Sequence, residues 1–228
     1  MTRAVTLTID GHRVQAEAGT TVMAAADAVG IEIPRLCYHP HLTPNTVCRL
    51  CVVEWEGART LVPACVARVQ EGAVIRTNSE RVQRVRRVIM ELLASTVDLD
   101  ESPALLAYAR AWGADLERFA EGNQRQFPVY DDNPFYVRDY NKCVLCWRCV
   151  QVCADDLQYT YALTLAGRGF HTRVGTSFNR LMPETTCVFC GNCVAVCPTG
   201  ALKSKVEFLI QQGTPIAAAL WTSRRRRK

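Results

Sequence analysis

Three features of this 228-residue chain predict an α+β fold built from two separate modules. Apolar and polar residues alternate in short runs over the amino-terminal third. A strongly marked helix pattern follows. Twelve cysteines fall into three groups of four, with none between positions 65 and 143.

The first element is a hairpin. "RAVTLTI" at 3–9 and the run 13–18 alternate around Asp10-Gly11, a turn pair suited to joining two antiparallel strands. "TTVMAAADAVG" then supplies a threonine cap, alanine-rich helix formers and Gly30 at the stop. "CVVEWEG" and "RTLVPAC" read as short strands around Gly57, and "GAVIRT" as another. Hairpin, helix and further strands describe a small mixed sheet with one helix across it, a β-grasp arrangement, over residues 1–78.

From Asn78 or Ser79, either of which can cap it, a helix is expected. Val82, Val85, Val88, Ile89, Leu92 and Leu93 recur at helical spacing. Arg81, Arg84, Arg86 and Arg87 fill the other positions and read as a solvated face, or one that meets an acidic partner. Residues 79–126 form a helical connector: Pro103 opens "ALLAYARAW", Gly113 closes it, and "ADLERFA" adds another turn or two. "QFPVYDDNPFYVRDY" reads as an extended lead-in to a second domain at 127–203. A short helix, "KVEFLIQQ", and a mobile basic tail are expected over 204–228.

Charge and composition exclude several functions. Hydrophobic residues make up 49% and charged residues 21%, as in an ordinary soluble globular protein. The net charge is +5, but Arg224 to Lys228 contribute all of it, so the body is balanced and carries no nucleic-acid signal. No signal peptide opens the chain, and no run approaches the ~18 apolar residues of a membrane span. A cytoplasmic protein is expected, or one carried elsewhere by a partner. In such a reducing compartment twelve cysteines indicate metal rather than disulfides.

Two of the cysteine groups repeat one pattern. Cys143-x2-Cys146-x2-Cys149-x3-Cys153 is matched by Cys187-x2-Cys190-x2-Cys193-x3-Cys197-Pro198. This run is the ligand signature of proteins with two [4Fe–4S] clusters, in which the fourth cysteine serves the other cluster. One cluster is therefore expected on Cys143, Cys146, Cys149 and Cys197, the other on Cys187, Cys190, Cys193 and Cys153. Zinc is the competing metal for paired C-x2-C groups, but two complete four-cysteine runs favour iron and sulfide. Ala154 replaces the usual proline, which shapes the turn without being a ligand. Trp147 stands where a small glycine is common, either shielding its cluster or packing against the lead-in.

The remaining group, Cys37-x10-Cys48-x2-Cys51-x13-Cys65, can hold a [2Fe–2S] cluster, although its long first gap departs from the plant-type order. His39 and His41 flank this loop but match no ligand position. His12 and His171 stand alone. "GRG" at 167–169 is no dinucleotide fingerprint, no phosphate loop occurs, and no nucleophile–base arrangement is visible. Substrate chemistry is expected on another subunit.

"RLCYHPHL", "CRLCVVEWEG", "LVPAC" and "IRTNSERV" together resemble the amino-terminal [2Fe–2S] domain of the complex I large iron–sulfur subunit. That domain is shared with iron-only hydrogenases, hydrogenase diaphorase subunits and NAD-linked formate dehydrogenases. "RDYNKCVLCWRCVQVC" and "GRGF" through "ETTCVFCGNCVAVCPTGAL" resemble the ferredoxin-like module of the same proteins. The resemblance covers about residues 1–95 and 127–203. It implies an electron relay of one [2Fe–2S] and two [4Fe–4S] clusters in an NAD-linked formate dehydrogenase or hydrogenase. The implied partners are a flavin/NAD-binding diaphorase-type subunit and a catalytic subunit of molybdenum or hydrogenase type. The sequence ends after the second ferredoxin motif, so that catalytic domain is expected on a separate polypeptide. A free-standing ferredoxin-type carrier and a complex I-type subunit feeding quinone are the alternatives. Relatives usually carry one more [4Fe–4S] cluster on a His and three Cys after the long helix. Residues 66–142 contain neither residue type, so 98–120 are expected to be a metal-free helical filler.

Overall fold

The structure is a computed structural model that describes residues 3–225; part of the basic tail, 226–228, lies outside the described residues. The chain forms two compact units. The first comprises the stretch ending at Tyr38, Pro44–Leu92 and Ala107–Arg118; the second comprises His39–Thr43, Leu93–Leu106 and the chain from Phe119 onward. The connector is thus divided: 79–92 and 107–118 belong to the first unit, 93–106 and 119–126 to the second.

In the first unit, β1 (Ala4–Ile9) and β2 (His12–Glu17) form the hairpin, in register from Ala4 opposite Glu17 to Ile9 opposite His12. Asp10 and Gly11 both take positive φ, 48° and 83°, as the tight hairpin turn requires. The Asp10 carboxylate accepts a 2.7 Å bond from the Thr77 amide, fixing the turn to the end of the strand that neighbours β1. α1 (Val22–Ala28) is capped by Thr21, whose hydroxyl accepts from the Ala24 amide at 3.1 Å. β3 (Val52–Trp55), β4 (Val62–Pro63) and β5 (Val74–Arg76) complete a five-stranded sheet of order β2-β1-β5-β3-β4, with β1 and β5 parallel. Alternation puts Val5, Leu7 and Ile9 inward, where they pack with Val22, Met23 and Ile75 of the buried core.

α2 (Glu80–Ala94) corrects the expected arginine face. Arg81, Arg84 and Arg87 are exposed, but Arg86 is buried, on the same stripe as Val82 and Met90. Leu92, expected in the apolar face, is exposed, and Glu91 is buried instead. The physical reason is polar demand in the interior. Glu91 accepts from Arg118 at 2.8 Å and from the Asp115 amide, and Arg86 serves carbonyls described below. α3 (Pro103–Ala111) buries Leu105 and Ala109, and Trp112 follows it, stacked on Tyr108 at 5.0 Å.

The second unit begins its ordered structure in the stretch read as an extended lead-in. β6 (Tyr136–Arg138) lies there and pairs antiparallel with β9 (Leu202–Ser204), which follows the last cysteine run. Each cysteine run ends in a short helix, α4 (Arg148–Cys153) and α5 (Asn192–Ala195), and the two pack together. Between them β7 (Thr164–Ala166) and β8 (Arg173–Gly175) make a small hairpin. α6 (Lys205–Gln211) is capped by Ser204, whose hydroxyl accepts from the Glu207 amide. The expected mobile tail is corrected in part: α7 (Ile216–Arg225) is helical, with Ala219 fully buried, because its alanine-rich stretch favours helix.

Buried cations tie the 93–106 segment of the connector into this unit. Lys142 pairs with Asp98 and, at 3.2 Å, with Glu101; Lys203 pairs with Glu101 and donates to Gln211 at 2.9 Å. Among the described residues, no helix is long and apolar enough to cross a membrane.

Candidate metal centres

The three cysteine groups converge as three sets of thiols. In the first unit, Cys37, Cys51 and Cys65 are buried and Cys48 nearly so. The pairing of Cys37 with Cys48 and of Cys51 with Cys65 pulls the Cys48 and Cys51 thiols down and, with burial, pushes Cys37 and Cys65 up. Cys65 is also influenced by Cys37 and Cys48, so the four form one group. Cys48 and Cys51 lie on the loop that enters β3, and Cys65 follows β4. Arg49 between the first two takes a positive φ of 57°, bending the loop sharply.

In the second unit Cys153 stands near the second run and Cys197 near the first. Cys153, Cys187, Cys190 and Cys193 line one cavity, together with Tyr136 and Thr160. Cys193 is pushed up to about 12, first by burial and then by Cys153, Cys187 and Cys190. In the other set, burial raises Cys143 to about 11 and Cys146 to about 12, and pushes Cys149 well above its usual value; Cys197 contributes to all three. Thiols this costly to ionise in isolation are natural ligands for a cation, since iron binding displaces their protons.

The loops follow one backbone plan in both repeats. The Leu145 amide donates to Cys143 Sγ and the Phe189 amide to Cys187 Sγ, each at 3.4 Å. Leu145 and Phe189 both have φ of 53°. Trp147 and Gly191 occupy matching left-handed positions before α4 and α5, with φ of 69° and 80°. Trp147 is exposed, at 39%. Ala154 differs from Pro198 for a local reason. Helix α4 continues through Cys153, and the Ala154 amide donates to the Val150 carbonyl at 2.9 Å. Proline has no such hydrogen. In the second repeat α5 ends at Ala195, before Cys197.

All-thiol donor sets, amides aimed at ligand sulfur and a thiol-lined cavity fit iron–sulfur clusters. Among the described residues no three His, Cys, Asp or Glu side chains converge on one point as a single metal ion requires.

Other contacts were not legible in the sequence. Tyr136 Oη lies 3.2 Å from Cys187 Sγ, and Thr160 Oγ1 3.3 Å from Cys153 Sγ. Arg125 donates to the Cys143 carbonyl. Arg86 donates from Nε to the Leu50 carbonyl at 2.9 Å and from a terminal nitrogen to Val52 at 3.0 Å. Burial pulls its guanidinium down to about 10, still protonated at neutral pH, with Cys51 the largest influence in the other direction. The available signal was its spacing, midway between Val82 and Met90 on one helical stripe. His39 Nδ1 accepts from the His41 amide at 3.3 Å, and burial lowers His39 with help from Arg148.

Residues 2–80 match the 2Fe-2S iron-sulfur cluster binding domain family, and residues 137–201 match the 4Fe-4S dicluster domain family. The chain is 37% identical over 213 residues to the NADP-reducing hydrogenase subunit HndD of Solidesulfovibrio fructosivorans, covering 87% of this chain and 36% of that one. It is 33% identical over 209 residues to the mitochondrial NADH-ubiquinone oxidoreductase 78 kDa subunit of Candida albicans, covering 88% of this chain and 28% of that one. It therefore spans about a third of the length of these relatives. A chain in the crystal structure of NAD+-reducing [NiFe]-hydrogenase in the H2-reduced state superposes with a TM-score of 0.78 at 31% identity. That match covers 88% of this chain and 87% of the other. With both domain families in this order and a hydrogenase chain matched along nearly its whole length, this chain belongs to the family of iron–sulfur proteins that join a 2Fe-2S domain to a 4Fe-4S dicluster domain.

Proposed function

We propose that this chain is the electron-relay subunit of an NAD-linked, multi-subunit hydrogenase. It would pass single electrons between a flavin/NAD-binding diaphorase-type subunit and a separate catalytic subunit. The observation that carries the reading is the convergence of all twelve cysteines into three four-thiol sets within this fold. We assign a [2Fe–2S] cluster to Cys37, Cys48, Cys51 and Cys65. One [4Fe–4S] cluster goes to Cys143, Cys146, Cys149 and Cys197, and another to Cys187, Cys190, Cys193 and Cys153. Bound clusters would supply reversible one-electron redox chemistry. The chain's own residues supply the rest. Thiolates hold iron, the amides of Leu145 and Phe189 stabilise negative charge on ligand sulfur, and buried side chains keep water from the sulfurs.

The near-complete match to a chain of an NAD+-reducing hydrogenase supports hydrogen over formate as the terminal substrate. The relative named as a ubiquinone oxidoreductase subunit supports a second reading, a complex I-type relay towards quinone. The connector at 98–120 would hold no metal, and the working location would be the cytoplasm.

The test is anaerobic reconstitution of the full chain with iron and sulfide, followed by metal analysis and EPR. About ten irons per chain are expected, with one [2Fe–2S] and two [4Fe–4S] signals on reduction. Zinc as the main metal, or about four irons, would overturn the assignment. Isolation of the native complex separates the readings. A hydrogen-oxidising catalytic chain alongside a flavin subunit supports the first, and a quinone-reducing membrane assembly supports the second.

A further inference from the structure

Arg86 is the one arginine of the α2 face that the fold takes out of water, at 2% exposure. Its two hydrogen bonds go to the carbonyls of Leu50 and Val52, the residues on either side of Cys51. Its guanidinium lies over the Trp112 ring, 5.7 Å from the ring centre. Among the described residues Arg86 forms no ion pair with a carboxylate. Two carbonyls and an aromatic face offset part of the cost of burying a cation, but a full negative charge is what such a site ordinarily contains. Cys51, between those two carbonyls, is the thiol whose charge acts on Arg86, and it belongs to the set of Cys37, Cys48, Cys51 and Cys65.

We propose that Arg86 is the buried counter-charge of the [2Fe–2S] site and raises its reduction potential. The inference rests on the assignment of those four cysteines as ligands. Four thiolates and two sulfides outweigh the iron charges, so the site is anionic when oxidised. One-electron reduction adds a further negative charge without breaking any bond in the chain. A fixed cation held in low dielectric beside Cys51 favours the state with more negative charge. Arg81, Arg84 and Arg87 lie on the same helix but face water, where screening removes most of their effect. Arg86 is therefore a positioning residue that acts through charge, and neither a ligand nor a catalytic residue.

The experiment is an EPR-monitored redox titration of the full reconstituted chain, with dithionite as reductant, following the [2Fe–2S] signal. Arg86→Gln keeps an amide donor and removes the charge. Arg86→Lys keeps the charge and loses the two-pronged geometry. Arg84→Gln is the exposed control. Arg86→Gln should lower the equilibrium constant for reduction at least tenfold, a shift of about 59 mV for one electron. Arg86→Lys and Arg84→Gln should stay within about threefold of wild type. If Arg86→Gln assembles no [2Fe–2S] centre while Arg86→Lys does so at near wild-type potential, charge is again the requirement and the proposal stands. It is overturned if Arg86→Gln titrates like wild type. It is also overturned if Arg86→Lys shifts as far as Arg86→Gln, or if neither variant assembles the centre, because geometry would then be what matters. A wild-type chain without a [2Fe–2S] signal overturns the ligand assignment itself, and the proposal with it.

Discussion

Cys153 shows how much one side chain decides. It closes α4, yet its sulfur joins the cavity lined by Cys187, Cys190 and Cys193, and Thr160 Oγ1 approaches it at 3.3 Å. Cys153→Ala should therefore damage the cluster held by the second run first. EPR of the reconstituted variant should show loss of that [4Fe–4S] signal while the cluster on Cys143, Cys146 and Cys149 persists. Loss confined to the latter would mean that the fourth ligands are not exchanged. The matching positions Trp147 and Gly191 make a related point. Both sit in left-handed backbone, which glycine adopts freely and tryptophan only under tertiary constraint. Only the second repeat announces that turn in its sequence.

Among the elements, α4 and the connector carry the sharpest expectations. Ala154→Pro would remove the 2.9 Å bond to the Val150 carbonyl and drive the ring into that same carbonyl. The expected cost is about 3 kcal/mol, read as a lower urea midpoint for the full chain under anaerobic conditions. An unchanged midpoint would show that α4 does not need its last amide. In the connector, Glu101 accepts from both Lys203 and Lys142, which are buried. Burial alone would raise the Glu101 carboxyl, but the lysine hydrogen bonds outweigh it and hold the group below its usual 4.5. Glu101→Gln takes the carboxylate partner from Lys203 and leaves Lys142 with Asp98 alone, and should cost about 3 kcal/mol at neutral pH. Because the folded carboxyl is depressed, its contribution is present above about pH 4.5 and is lost as pH falls through the folded value. The stability gap between wild type and Glu101→Gln should therefore close in acid. A gap that stayed constant with pH would assign the effect to packing.

For the whole molecule, the expectation follows from what the described surface offers. No dinucleotide fingerprint or phosphate loop accompanies the thiol sets. The purified, fully loaded chain should reduce artificial dyes with dithionite but not with NADH, formate or hydrogen. Addition of a flavin-bearing partner subunit should restore NADH-dependent dye reduction. Robust NADH oxidation by the chain alone would require a nucleotide site on it and would overturn the relay reading.

Local chemistry is readable because it is written in local spacing. The β1–β2 hairpin, the Thr21 cap, the onset of α2 and the grouping of the cysteines all depend on residues a few positions apart. Even the placing of Cys153 beside the second run is legible, since a tight three-thiol loop followed by a helical turn points the fourth sulfur away. Tertiary structure decided what contiguous spacing does not encode. Arg86 is 36 and 34 positions from the carbonyls it satisfies, so its burial becomes visible only when α2 meets the Cys51 loop. Tyr136 reaches Cys187 across 51 positions, and Glu101 reaches Lys203 across 102. The lead-in reads as merely extended because β6 takes its partner, β9, from beyond both cysteine runs. A buried charge or a paired strand is defined by its partner, and these partners are brought together only when the whole chain packs.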